Sequence, residues 1–183
     1  MKNVFTLSAI FLITYLGGLS HIMPVPIVAL ALFTAVYLSN KRSAVLVFFG
    51  GLFMADLALG LHALIPVVYA SLVPVLFIGF SLRKNLGGLE IARVSVLGSV
   101  LYFFLTNFGV WLAGACNWGD GREIPLTLSG LLSAYSAALP LLPARISTDL
   151  LASVLLFGGV LWVYKNLSND FGLVRPGSKG NVG

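Results

Sequence analysis

Val94–Ala115 reads VSVLGSVLYFFLTNFGVWLAGA, without a single charged side chain. The hydrocarbon core of a bilayer is about 30 Å thick, which a helix crosses with roughly 20 mostly apolar residues. This stretch predicts a membrane-crossing helix, and its neighbours read the same way. Before it lie Val4–Ser20, a run from Ile22 or Val25 to Ser39 with Pro24 and Pro26 at its start, Ala44–Leu61 with Asp56 inside it, and Ala63–Leu82 with Pro66 and Pro74. After it lies Ile146–Tyr164, with Asp149 in its first turn. The reading is an all-α, polytopic integral membrane protein of six transmembrane helices. Residues 1–164 form one membrane domain, and residues 165–183, ending GSKGNVG, form a flexible cytoplasmic tail.

Composition supports that choice of solvent. Hydrophobic residues make up 58% of the 183, and charged residues only 9%, against about 25% in soluble domains. A water-soluble chain this short has no core large enough to hide so much apolar surface. The net charge of +5 is scattered singly or in pairs, with no basic stripe to track a phosphate backbone, so nucleic acid is not an expected partner. The single cysteine, Cys116, excludes an intrachain disulfide and a cysteine-rich metal site.

Lys2 followed by an apolar run has the look of a signal peptide. No Ala-x-Ala site follows, however, and residues 17–21 lead directly into another apolar run, so the first helix is read as retained. Charge placement then orients the chain. With the N-terminus inside, Lys2, Lys41, Arg42, Arg83, Lys84, Arg93, Lys165, Arg175 and Lys179 are cytoplasmic, and only Arg122 and Arg145 lie outside. That bias is what the positive-inside rule requires of an N-in, C-in protein of a bacterial cytoplasmic membrane.

Residues 124–144 carry no charge either. A seventh span there would put the basic tail outside, and Pro125, Pro140 and Pro143 interrupt it. The stretch is read as a short helix, Leu126–Leu139, in the outer interface before the last span, with Ser129, Ser133 and Ser136 on one face.

Polar groups inside spans are candidate functional residues because hydrocarbon disfavours them. The six-span topology puts Asp56, Asn107, Trp111 and Asp149 in the outer third of the membrane, with His62 in a short outer loop and Tyr135 on the interfacial helix. These six are the candidate substrate-binding residues. Each also has a structural reading. Asp149 can pair with Arg145 at i, i+4 near a helix N-terminus. Asp56 can act as interhelical polar glue. Trp111, with Trp118, can anchor at the interface, and His62 can be an ordinary interfacial residue. Cys116 reads as an inert small residue. Ala31/Ala35, Gly51/Ala55 and Gly109/Ala113 have the spacing of close helix packing. The chain contains no His-Glu-x-x-His pattern, no phosphate-binding glycine loop and no Gly-x-Ser-x-Gly elbow. The expectation is therefore a protein without catalytic residues, cofactor or metal.

Several segments carry a family resemblance: Met54-Ala55-Asp56-Leu57-Ala58-Leu59-Gly60-Leu61, Leu105-Thr106-Asn107-Phe108-Gly109-Val110-Trp111-Leu112, the run Leu126–Tyr135 with Ala138-Leu139-Pro140, Asp149-Leu150 and Leu156-Phe157-Gly158. Through them the chain resembles an uncharacterised family of small bacterial six-helix membrane proteins. That family is in turn similar to the substrate-binding S components of energy-coupling-factor vitamin transporters. The loop from Cys116 to Pro125 is longer and more charged than the family's. The resemblance implies a pocket near the outer face for a vitamin or cofactor precursor. It also implies a membrane coupling subunit driven by cytoplasmic ATPases. The rival expectation is a structural or accessory subunit of a larger membrane complex. An outer pocket of roughly 300–1,000 Å³ would separate the two.

Overall fold

The computed structural model describes residues 25–38, 40–84, 86–114 and 123–171. Among them the regular structure is helical. In chain order, α1 is Ile27–Tyr37, α2 is Lys41–Leu59, α3 is Ile65–Ser81, α4 is Gly88–Leu112, α5 is Leu128–Ala138 and α6 is Leu142–Phe171. Short 3-10 turns at Leu82–Lys84 and Leu139–Leu141 follow α3 and α5. The expected first span, Val4–Ser20, and the tail beyond Phe171 lie outside the described residues.

Three helical stretches are long and apolar enough to cross a membrane: Lys41–Leu59, Gly88–Leu112 and Leu128–Trp162. Ile27–Tyr37 and Ile65–Ser81 are apolar but shorter. The expected span up to Ser39 is thus a helix of only 11 residues, about 16 Å long at 1.5 Å per residue. Its start is fixed by Pro26, the N-cap residue, because proline disfavours helical geometry in the residue before it. Leu38, in extended conformation, ends it.

This short helix is the centre of the molecule. Every residue from Val28 to Ala35 is buried, and α1 packs on α2, α3, α4 and α6. A helix apolar on all sides is suited to such enclosure. Small residues let the neighbours close in. A Cβ added to Gly79 of α3 would sit 2.7 Å from Ala35 Cβ, and one on Gly98 of α4 would sit 2.8 Å from Val28 Cγ1. Ala31 and Ala35 are fully buried, as close packing at four-residue spacing requires. Gly109 of α4 likewise faces Val67 of α3.

The surrounding helices turn apolar side chains outward. Leu46 is 73% exposed, Leu155 66% and Trp162 66%. Such a surface is stable against lipid tails and not against water. The helix ends follow local rules. The Asn40 side chain accepts from the Arg42 N–H at 3.0 Å and starts α2, and Gly60 at φ +107° ends it. The α4 helix begins at Gly88, earlier than its apolar core. Glu90 in its first turn suits the positive end of the helix dipole, and Arg93 lies 3.9 Å from it.

The expected helix before the last span is present as Leu128–Ala138. Thr127 caps it, its hydroxyl accepting from the Gly130 N–H at 3.2 Å. The Leu139–Leu141 turn, containing Pro140, joins it to α6 with little interruption. The combined stretch Leu128–Trp162 has 35 residues, which at 1.5 Å per residue is about 52 Å. A hydrocarbon core of about 30 Å holds only part of that length.

Candidate functional site

Asp149 is the most enclosed ionisable residue among those described, with no exposed surface. It projects from α6 to the start of α1. Its Oδ1 accepts from the Val28 N–H at 3.2 Å and the Ala29 N–H at 3.3 Å. These are two of the first-turn amides that a helix cannot satisfy internally. Its Oδ2 accepts from the Ser99 hydroxyl of α4 at 2.9 Å. One turn on along α6 and one turn back along α4, Ser153 and Ser95 share a hydrogen bond at 2.5 Å. Beside a substrate-binding role, the sequence reading allowed Asp149 a structural one, paired with Arg145 near its own helix N-terminus. Its hydrogen bonds instead go to the N-terminus of another helix. Arg145 donates to the Val25 carbonyl at 3.2 Å, and its guanidinium lies 5.0 Å from the centre of the Tyr102 ring.

The other end of α1 is held by Arg83. Its Nε donates to the Ala35 carbonyl at 2.7 Å, and its terminal nitrogen donates to the Leu38 carbonyl. The guanidinium lies 4.8 Å from the centre of the Phe80 ring. Burial lowers its pKa from the usual arginine value.

Asp56 is half-buried near the end of α2. Tyr69 of α3 donates its hydroxyl to Asp56 Oδ2 at 2.6 Å. The Tyr69 ring rests against Phe49, two turns back along α2, with centroids 5.4 Å apart. Asn107 is held elsewhere, its amide donating to the Phe103 carbonyl of its own helix at 2.8 Å. The α3 helix stands between the two, touching α2 through Tyr69 and facing α4 at Val67.

Trp111 and Tyr135 join α4 to the chain around α5. The Trp111 indole N–H donates to the Pro125 carbonyl at 3.1 Å. The Tyr135 hydroxyl donates to the Phe104 carbonyl at 2.8 Å, and its ring lies 5.6 Å from that of Phe104. His62 is exposed in the connection between α2 and α3. Cys116, Asn117 and Trp118 lie outside the described residues. The six candidates therefore divide into separate settings: Asp56 with Tyr69, Asp149 with α1 and Ser99, Trp111 and Tyr135 with backbone near α5, Asn107 on its own helix, and His62 at the surface.

A groove of about 490 Å³ is lined by Ala92, Arg93, Val96, Leu97, Val100 and Leu150. It contains none of the six, and apart from Arg93 its lining is apolar.

The sequence reading passed over the serines and both partners of the charged groups. One signal was available. Ser95/Ser99 and Asp149/Ser153 each stand four apart, so each pair shares a helix face. Apolar helices crossing a membrane with matched polar faces are expected to turn them toward each other. Tyr69 and Arg83 carried no comparable mark, because neither belongs to a polar pair at helical spacing on its own segment.

These features define an all-helical protein with helices fit to cross a membrane and polar groups buried between them. The chain belongs to the family of unknown function DUF6580, whose model matches residues 1–170. No curated protein and no solved structure matches it.

Proposed function

We propose that the protein is a membrane-embedded, non-catalytic subunit that binds a small nutrient for uptake, in the manner of an S component. It is a multi-pass protein of a bacterial cytoplasmic membrane, with six spans and both termini inside. The carrying observation is Asp56. It is a carboxylate in a helix able to cross a membrane, partly open, with a neutral tyrosine as its hydrogen-bond partner. An intramembrane acid without a counter-charge is disfavoured by hydrocarbon and is retained chiefly where it does something. The enclosed short helix α1 adds support, since interrupted helices with polar ends recur at transporter binding sites.

A second reading, an accessory subunit of a larger membrane complex, also has an observation in its favour. Asp149, Asn107, Trp111 and Tyr135 are all hydrogen-bonded within the chain, as structural groups would be. Purification of the tagged full chain in mild detergent, with identification of co-purifying proteins and small molecules, separates the two. The binding reading expects a stoichiometric small molecule, and a coupling membrane subunit with two ATPases. Recovery of other membrane subunits with neither ATPase nor ligand would establish the accessory reading instead.

A further inference from the structure

Asp56 sits in the last turn of α2, whose C-terminal carbonyls carry the negative end of the helix dipole. A carboxylate there is repelled by its own helix, and no basic residue lies in that turn to offset it. Tyr69 occupies Oδ2, which leaves Oδ1 as an acceptor on a partly exposed residue. The Tyr69 ring packs against Phe49, centroids 5.4 Å apart, which holds its hydroxyl on the carboxylate. Negative potential and a free carboxylate oxygen together complement a small cation with hydrogen-bond donors. An ammonium group meets that description. An anion would be repelled, and a neutral ligand would leave the charge unanswered.

We propose that Asp56, at the Gly60 end of α2 and held by Tyr69, binds the protonated amine of a small ligand. This rests on the nutrient-binding reading above and gives the ligand's chemical class. Tyr69 acts as a positioning residue, fixing the carboxylate so that its second oxygen faces the amine.

The test is thermal unfolding of the detergent-purified full chain, followed by tryptophan fluorescence. It is titrated with methylammonium chloride and, at equal ionic strength, with sodium chloride. The wild type is expected to show a saturable upward shift with methylammonium and none with sodium. Asp56→Asn keeps an acceptor for Tyr69 and removes the charge, so it should lose the shift. Asp56→Glu should retain a shift, and Tyr69→Phe should need several-fold more methylammonium to reach it. Equal shifts with both salts, a shift with sodium alone, or an undiminished shift in Asp56→Asn would each overturn the proposal. The broader reading fails separately. A co-purified ligand held equally by the wild type and Asp56→Asn refutes the amine site and leaves nutrient binding standing. A methylammonium site in a protein that co-purifies only with non-transport subunits refutes uptake and leaves the amine site standing.

Discussion

Asp149 and Arg83 hold opposite ends of the same helix. The carboxylate accepts from the Val28 and Ala29 amides at the start of α1, and the guanidinium takes the Ala35 and Leu38 carbonyls at its end. Each charge matches the sign of dipole it does not share, negative at the N-terminus and positive at the C-terminus. One arrives from α6 and the other from the turn after α3. A span of the hydrocarbon core takes roughly 20 helical residues, but α1 has only 11. Both of its ends therefore need partners from elsewhere in the protein, because lipid offers none.

Removal of the Asp149 carboxylate should be the more damaging change. Asp149→Ala leaves two buried amides without an acceptor, at a cost of about 1–3 kcal/mol each. Asp149→Asn keeps one oxygen for the Val28 and Ala29 amides and loses the charge and the acceptor for Ser99. Unfolding midpoints in detergent should fall in the order wild type, Asn, Ala. An alanine variant as stable as the wild type would show that the cap contributes nothing.

At the other end, Arg83→Gln should lower stability by about 1.5–3 kcal/mol, the usual range for hydrogen bonds to a charged group. Arg83→Lys should fall between, since an ammonium is a point donor and lacks the planar fork that reaches two carbonyls. Chemical denaturation of the purified protein would rank the three.

Packing around α1 yields a third expectation. Gly79→Ala places a Cβ 2.7 Å from that of Ala35, and overpacking of this kind costs about 1–3 kcal/mol. Gly158→Ala meets nothing within 4 Å and should be neutral or slightly stabilising through helix propensity. Equal behaviour of the two variants in a thermal-shift comparison would contradict the tight α1–α3 contact.

Topology is tested by labelling single cysteines in a Cys116→Ser background with a membrane-impermeant maleimide. His62→Cys and Ser129→Cys should react in intact cells, and Asn40→Cys only after permeabilisation. Labelling of Asn40→Cys from outside would reverse the proposed orientation. Protection of Ser129→Cys from outside would place α5 within the membrane.

Much of the helical order was legible in the chain because apolar runs and their breakers are local properties. The uncharged stretch after Arg93, the proline at position 26 and the prolines at 140 and 143 each mark an element or its end without reference to anything distant. The length of α1 was less legible. Hydropathy continues before it, through Ile22, Met23 and Val25, while the helix itself starts only after Pro26.

What the sequence by itself determined is the solvent, the helical class and the set of polar residues that must find partners. Only the tertiary structure decided which partners they find. Asp149 lies four residues from Arg145, yet its hydrogen bonds reach Val28 and Ala29, more than a hundred residues away. Asp56 lacks a local partner and meets Tyr69 across a helix–helix contact. The reason is the low polarity of the environment. A buried carboxylate or open helix end is strongly disfavoured until satisfied, so helix packing settles on the arrangement that pairs such groups. That arrangement depends on the relative rotation and depth of several helices at once, which spacing along one chain does not record.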